Sequence, residues 1–542
     1  MVGHMVGNRL DYRHATPSLS KDFFLASLML ALTYVSVNMK LVVGLDVGTQ
    51  SVKLIAYDPA ERRVVAIHGQ ALELIVGADG SREQKAEWWT DAIRACFAKL
   101  DPVLRARVAA IGVSGQQHGF VPMDATGKVL APAKLWCDTS TQRECDDIMA
   151  AAGGAGRCVA LGGNPILAGY TASKLPWTRR HRPDVYRRLA TIMLPHDYVN
   201  FWLTRERWME CGDASGTGWL DVRTRRWSPP LLAATDPERD LSACLPPLVE
   251  ADASFPIDPA IAGELGLSRE VRVSAGGGDN MMAAIGTGNV APGVLSMSLG
   301  TSGTLFTCTD HPVVDDKAGW AAFCSSTGSW LSLICTMNCT VATESVARAF
   351  GFSARDGDAV MSGTAPGAGG LVLLPFFNGE RMPDLPHARG SLHGMDAGNL
   401  TRGNLYRAAM EGATYALRNG YDAWLAVGLR FDAIRLTGGG SQSAVWRQMV
   451  ADVFELPVEV PAQAEGAAFG AALQALWACE NAGGAHADFA AIANEHVLVD
   501  PGFSARPDVV NTPAYRSHYR QFLRHLDTAK SFYTNRHVAG AA

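Results

Sequence analysis

Leu41-Val42-Val43-Gly44-Leu45-Asp46-Val47-Gly48-Thr49-Gln50-Ser51-Val52-Lys53-Leu54-Ile55-Ala56-Tyr57 is the stretch that decides the fold. Leu41 to Asp46 is an apolar, β-branched run that reads as a buried strand, Val47 to Ser51 as a turn, and Val52 to Tyr57 as a second strand. Working outward, Arg63 to His68 offers a third strand, and Ala86 to Leu100 places Trp89, Ile93, Phe97 and Leu100 at helical spacing. Val108 to Val113 returns to strand, which completes an α/β unit. The same pattern recurs in the second half. Val294 to Leu299 leads into Gly300-Thr301 and then into Thr304 to Thr307. Laying Gly48-Thr49 over Gly300-Thr301 sets Asp46 over Ser298, so the halves read as diverged copies of one unit.

Such turns can carry chemistry. Glycine lets backbone N–H groups face an anion and neighbouring hydroxyls add donors, so Gly48, Thr49, Gln50, Gly300 and Thr301 can cradle phosphate. Asp46 at the head of the first turn can hold a hydrated Mg²⁺, and Lys53 can stabilise charge on a transferring phosphoryl group. The repeat is asymmetric here, because only the first turn offers a carboxylate. An isolated Asp-x-Gly-Thr hairpin nevertheless reads first as a plain turn.

Three further stretches stand at strand ends. Ser274-Ala275-Gly276-Gly277-Gly278-Asp279-Asn280 accepts the entropic cost of three glycines and presents one carboxylate. Alone it is a bend with Asp279 as a helix N-cap. In Ser114-Gly115-Gln116-Gln117-His118-Gly119, amides and an imidazole offer donors and acceptors suited to hydroxyl groups. Ile434 to Ser441 runs a strand into Gly438-Gly439-Gly440, ahead of a helix with Val445, Met449, Val450 and Val453 on one face, which admits close approach of a nucleotide. The triplet spacing is neither G-x-G-x-x-G nor a Walker loop. Trp136 reads as a core residue, with stacking on a sugar face as the alternative. Tyr515, Tyr519, Phe522 and Leu523 predict a docked C-terminal helix.

A chain of 542 residues exceeds what one hydrophobic core supports, so two domains are expected, over 39–290 and 291–530, with a tail at 531–542. Hydrophobic residues at 48% and charged residues at 19% place it among ordinary globular proteins. A net charge of −5 without a basic block argues against nucleic-acid and membrane partners. Eleven scattered cysteines fit reduced thiols and a cytoplasmic setting. Cys335 and Cys339, four apart, lack a second pair for a zinc site and read as buried apolar residues. Phe23 to Val37 is an apolar run with a poor cleavage site, and residues 1–38 read as an extension or an upstream start, outside the fold.

Two longer patterns carry a family resemblance. Gly169-Tyr170-Thr171-Ala172-Ser173-Lys174-Leu175-Pro176-Trp177 is the first, departing where Thr178 replaces an apolar residue. The second runs from Gly390-Ser391-Leu392-His393-Gly394-Met395 to Asn404-Leu405 and Ala408-Ala409-Met410-Glu411. With them, residues 39–530 resemble the FGGY family of carbohydrate kinases, and among them the xylulokinases. The resemblance implies an α/β fold of two ribonuclease-H-like, actin-like domains flanking a cleft, with ATP and Mg²⁺ as cofactors and a ketopentose as substrate. It implies Asp279 as catalytic base and Gln117, His118 and Asn280, with Asp279, as the sugar site. Asp46 would serve the metal; Gly48, Thr49, Gln50, Lys53, Gly300 and Thr301 the phosphates; and Gly439, Gly440 and Ser443 the adenosine. Glycerol kinases carry Arg-Glu where this chain has Gln117-His118, so the glycerol reading loses. Phosphorylation of D-xylulose to its 5-phosphate is the leading expectation, with a homodimer as the assembly carried forward. The alternatives are the same chemistry on D-ribulose, L-xylulose or a sugar alcohol, an actin-like ATPase interaction module, and a degenerate kinase that only senses sugar. Asp213-Ala214-Ser215-Gly216-Thr217-Gly218 and Gly163-Asn164-Pro165 resemble the family without yielding a role.

Overall fold

Two mixed sheets, one from each half of the chain, carry the structure, a computed structural model that describes residues 40–539 apart from 318, 483 and 485. The expectation for residues 1–38 lies outside the described residues. In the first half, β1 (Leu41–Val47), β2 (Ser51–Asp58), β3 (Arg63–Ala71), β4 (Val108–Gly115), β5 (Ser254–Pro256) and β6 (Arg272–Ser274) lie in the order β5-β6-β4-β1-β2-β3. In the second, β7 (Gly293–Leu299), β8 (Gly303–Thr309), β9 (Ala321–Cys324), β10 (Trp330–Thr336), β11 (Phe431–Thr437), β12 (Val458–Pro461) and β13 (Val499–Ala505) lie in the order β9-β10-β8-β7-β11-β12-β13.

The repeat read from the Gly-Thr turns extends through both sheets. β1 pairs antiparallel with β2 and parallel with β4; β7 pairs antiparallel with β8 and parallel with β11. Each sheet then adds a parallel strand, β6 or β12, and an antiparallel one, β5 or β13. In register, Asp46 pairs with Lys53 across the first hairpin and Ser298 with Thr304 across the second.

Helices cover the sheets in chain order: α1 (Ala86–Lys99), α2 (Thr171–His181), α3 (Pro195–Thr204), α4 (Asp279–Gly286), α5 (Arg402–Ala426), α6 (Ala444–Phe454), α7 (Gly466–Ala482) and α8 (Thr512–Ala539). α1 puts Trp89, Ile93 and Phe97 into the first core, the face its spacing predicts. Tyr515, Phe522 and Leu526 of α8 enter the core of the second half, and α8 continues past the expected boundary at 530 to Ala539.

The element the sequence did not announce is α7. Though encoded late in the chain, it lies on the first sheet and against α4, with Ala468, Ala471, Ala472 and Ala475 in a core shared with Val42, Ala110, Met282 and Ile285. Contact is backbone to backbone. A Cβ at Gly470 would stand 1.8 Å from the Met282 carbonyl oxygen, and one at Gly286 1.9 Å from that of Gly466. Interiors pack too densely to absorb such overlaps, so small residues at these positions set how close the two helices come.

A second seam joins the halves. β9 is held from the first half by Asn164, whose amide donates to the Ala322 carbonyl at 2.6 Å and accepts from the Ala322 N–H at 2.9 Å. Ser215 Oγ accepts from the Cys324 N–H at 3.0 Å. These contacts give the Asn164 and Ser215 stretches a role that their sequence did not reveal.

Candidate active site

Three backbone segments end side by side at the carboxyl edge of the first sheet. Asp46 on β1 is in register with Ser114 on β4, and Ser114 with Gly277 of the bridge Gly277–Gly278. Carboxyl ends of strands in open α/β sheets are where ligands bind. Asp279 follows as the first residue of α4, with Gly278 in the N-cap position, so the N-cap expectation for Asp279 is off by one. Its Oδ1 accepts from the Asn280 N–H at 2.8 Å and the Asn280 amide at 3.1 Å. The same Asn280 amide donates to Gln117 Oε1 at 2.7 Å, so Asp279, Asn280 and Gln117 form one hydrogen-bonded edge.

Burial raises the Asp279 carboxyl to about 7, helped by the charges of Asp46 and Asp213 and opposed by the N–H groups of Asn280 and Gln117. A carboxyl titrating near neutrality is what a general base working at that pH needs. Asp46 is also raised, chiefly by burial, while the Ser114 hydroxyl donates to its Oδ1 at 2.8 Å.

His118 is set by its backbone and by a ring. Its φ of +64° is in the left-handed region, and its imidazole stacks on Tyr170 with centroids 4.5 Å apart. Phe323 of β9 lies 6.0 Å away, so the second half supplies a wall to the same place. His118 Nδ1 meets the Gly216 carbonyl at 2.6 Å. A carbonyl only accepts, so Nδ1 carries the proton and Nε2 is left as an acceptor. Burial, with Lys174 nearby, lowers His118 to about 3, and the ring stays neutral.

Lys174 explains part of the first family pattern. It is wholly buried on α2, and its ammonium donates to the carbonyls of His118 at 2.5 Å and Gly169 at 2.6 Å. Burial brings it down to about 7. It acts by holding the His118 backbone.

The triple glycine answers to the side chains packed around it. All three glycines are buried. Gly276 has φ +78°, and a Cβ there would stand 2.7 Å from Asn200 Nδ2 and 2.8 Å from the His196 ring. Gln474 of α7 clamps this backbone: its Oε1 accepts from the Gly276 N–H at 2.9 Å and the Ser274 hydroxyl at 2.8 Å, and its Nε2 donates to the Gly276 carbonyl at 3.0 Å. Gln474 and His196 are site-supporting residues that sequence reasoning missed, since nothing local marks either one.

The first Gly-Thr turn is tied to this edge through the neighbour of Gln117. Thr49 Oγ1 donates to Gln116 Oε1 at 2.9 Å and accepts from Trp136 Nε1 at 3.0 Å. Trp136 is 45% exposed, so the core reading for it is corrected; a donor bond to the turn holds it at the surface. Gly48 and Gln50 lie in the same turn, closed by the Gly48 N–H donating to the Ser51 carbonyl at 3.1 Å. Lys53 projects from β2 but is bridged at 2.6 Å to Glu465, just before α7.

The second turn and the glycine triplet form their own group on adjacent strands. Gly300 and Thr301 offer their carbonyls to the N–H groups of Thr340 and Cys339 at 2.9 and 3.0 Å. Gly438 presses on β7, where a Cβ would come within 2.7 Å of the Leu299 backbone, whereas a Cβ at Gly439 would meet nothing within 4 Å. That open face beside a turn leaves room for a flat ring. Gly440 is buried against Leu299 and Trp446. Ser443 caps α6, accepting from the Trp446 N–H at 3.0 Å and donating to Asp358 at 2.5 Å, so its hydroxyl is engaged within the protein.

Among the described residues no group of three or more acidic, His or Cys side chains could cage a metal. The Cys335 and Cys339 thiols are unbridged, like every described cysteine; Cys339 is buried as expected, whereas Cys335 is only partly buried.

The N-terminal domain of the FGGY family of carbohydrate kinases matches residues 41–286, and its C-terminal domain matches residues 295–479. The chain belongs to the FGGY family of carbohydrate kinases. It is 40% identical over 492 residues to the xylulose kinase of Haemophilus influenzae, covering 89% of this chain and 99% of that one. The xylulose kinase of Streptomyces coelicolor is 37% identical, over 80% of this chain and 87% of that protein. Among solved structures, a xyloylose (xylulose) kinase from Brucella ovis superposes with TM-score 0.84 at 31% identity, covering 91% of this chain and 100% of that one. Plasmodium falciparum glycerol kinase with ADP shares the fold at TM-score 0.80 and 18% identity, over 90% of this chain and 98% of that one. No described helix is long and apolar enough to cross a membrane.

Proposed function

We propose that the chain transfers the γ-phosphoryl group of ATP to the terminal hydroxyl of D-xylulose, giving D-xylulose 5-phosphate. One observation carries the reading: a carboxyl raised to about 7, Asp279, shares a hydrogen-bonded edge with Asn280 and Gln117 beside a neutral His118. The relatives at 40 and 37% identity named xylulose kinase support the choice of sugar.

Phosphoryl transfer asks a protein mainly for positioning and charge stabilisation. Asp279 accepts the proton of the attacking hydroxyl as the new O–P bond forms and the bond from the γ-phosphorus to the bridging oxygen breaks, releasing ADP. His118 Nε2 accepts from one sugar hydroxyl, while the Asn280 carbonyl and Gln117 orient others. The turns Gly48–Gln50 and Gly300–Thr301 bind the phosphates, Lys53 leaves Glu465 to meet them, and Gly439 and Gly440 flank the adenosine, with Ser443 positioning the turn as a cap. Mg²⁺ fits this donor set: Asp46 is one carboxylate with Ser114 on one oxygen, which suits an ion that keeps several waters. When bound, Mg²⁺ would neutralise charge on the phosphates. The two halves, as domains over 39–290 and 291–530, would close on the substrates and exclude water.

Coupled ADP-release kinetics with MgATP over D-xylulose, L-xylulose, D-ribulose, xylitol and glycerol test this. D-Xylulose is expected to give the largest kcat/KM, and a larger value for any other member of the panel refutes the substrate assignment.

A further inference from the structure

Beneath the sugar edge lies a set of buried charges that the mechanism above does not use. His196 on α3 is wholly buried, with Nδ1 2.6 Å from Asp213 Oδ2 and Nε2 3.0 Å from Asp197 Oδ1. Glu210, also buried, accepts from the N–H groups of Gly212 and Asp213 at 2.6 Å each. Asp213 Oδ1 and Gln117 Nε2 are both buried with no hydrogen-bond partner among the described residues, and they flank the same spot: a Cβ on Gly278 would be 3.0 Å from the first and 2.6 Å from Gln117 Cγ.

The polarity of the edge follows from elementary donor and acceptor rules. Ionised Asp279 can only accept, so Asn280 must present its NH₂ to it, and the same NH₂ reaches Gln117. Gln117 must therefore answer with its carbonyl, which turns its own NH₂ inward toward Asp213. If Gln117 were reversed, two NH₂ groups would face each other, and Asn280 could relieve this only by withdrawing its donor from Asp279. A group that accepts at the inner end therefore fixes the whole row. We propose that Asp213, held as an acceptor by His196, is a positioning residue that sets the facing of the Gln117 amide and so the hydrogen-bonding pattern the sugar meets. This rests on the sugar-kinase reading above. The charged groups facing His196 are Asp197 on its own helix, and Asp213 and Glu210 from the segment packed on it; Asp46 faces the other end of the row from β1.

Reversing the row tests the idea in the full-length protein. Gln117→Glu sets a carboxylate against Asp213 and should lower kcat/KM for D-xylulose about 50-fold, because a buried acceptor then faces an acceptor. Adding Asp213→Asn restores complementarity with opposite polarity: the new amide donates to the carboxylate and accepts from His196. The double variant should recover at least about tenfold over Gln117→Glu, a coupling expected only of groups in direct contact. KM for ATP should stay within about twofold throughout, since the phosphate turns are untouched. Asp213→Ala should raise KM for D-xylulose about tenfold at unchanged KM for ATP, as the Gln117 NH₂ loses the carboxylate that it faces. A double variant no better than Gln117→Glu, or an unchanged sugar KM in Asp213→Ala, overturns the proposal. Wild-type turnover of D-xylulose in the same assay separates the two readings: its absence refutes the sugar-kinase assignment, and its presence without rescue refutes this proposal alone.

Discussion

Asp279→Asn should slow turnover strongly and yet stabilise the protein at pH 8. The carboxyl titrates at about 7 because burial and the charges of Asp46 and Asp213 penalise its ionised form. A raised carboxyl costs the native state nothing while protonated. Below the unfolded value near 4 the penalty is absent, it grows as pH rises toward 7, and above that it is complete. The full span from the ordinary value of 3.8 corresponds to about 4 kcal/mol, and solvent screening at a partly exposed site reduces the measurable gain to about 1–3 kcal/mol. Asn keeps a carbonyl to accept from Asn280 and loses only the charge. The urea midpoint of the variant should therefore exceed that of the wild type at pH 8 and converge with it at pH 4.5, while kcat falls about 10²- to 10⁴-fold for loss of the base. A variant no more stable at pH 8, or a difference that does not change with pH, refutes the assignment of this carboxyl as a penalised base. Near-normal kcat refutes its role as base.

Other expectations are simpler. His118→Ala should raise KM for the sugar about tenfold by removing the Nε2 acceptor, with KM for ATP unchanged. Because His118 is neutral from about 3 upward, wild-type sugar KM should show no inflection from this residue between pH 5 and 8 in initial-rate kinetics. Gly470→Ala places a Cβ 1.8 Å from the Met282 carbonyl and should destabilise by about 3 kcal/mol or more, read as a lower urea midpoint. Glu465→Gln frees Lys53 from a half-exposed pair worth about 0–1 kcal/mol, so KM for ATP should fall by about two- to fivefold at low salt and less at high salt.

How much of this was legible in the sequence depended on how local the cause was. The strand–turn–strand at Leu41–Asp58 and its copy at Gly293–Thr309 depend on residues within a few positions, and the structure extends that repeat to matching strand orders in both sheets. Asp279, Asn280, Gln117 and His118 stood out as polar residues at strand ends, and the first three meet at one hydrogen-bonded edge. The reasons for the surrounding residues were not local. The triple glycine answers to His196 and Asn200 on α3 and to Gln474 on α7, partners far away in sequence. Lys174 stood in the sequence only as a member of the first family pattern, and it is a buried clamp on the His118 carbonyl. Trp136 read as core because tryptophan usually is, whereas its indole N–H is spent on Thr49 at the surface. α7 could not be placed on the first sheet from sequence, because an alanine-rich helix carries no mark of which sheet it covers.

The central claim is that the γ-phosphoryl group passes to a sugar hydroxyl. One equivalent of MgATP incubated with D-xylulose and the full-length protein, followed by phosphorus and carbon NMR, reads this directly. The account predicts ADP and a phosphomonoester in equal amounts, with the phosphate on C5 of the sugar. ADP with inorganic phosphate and unaltered D-xylulose would contradict it.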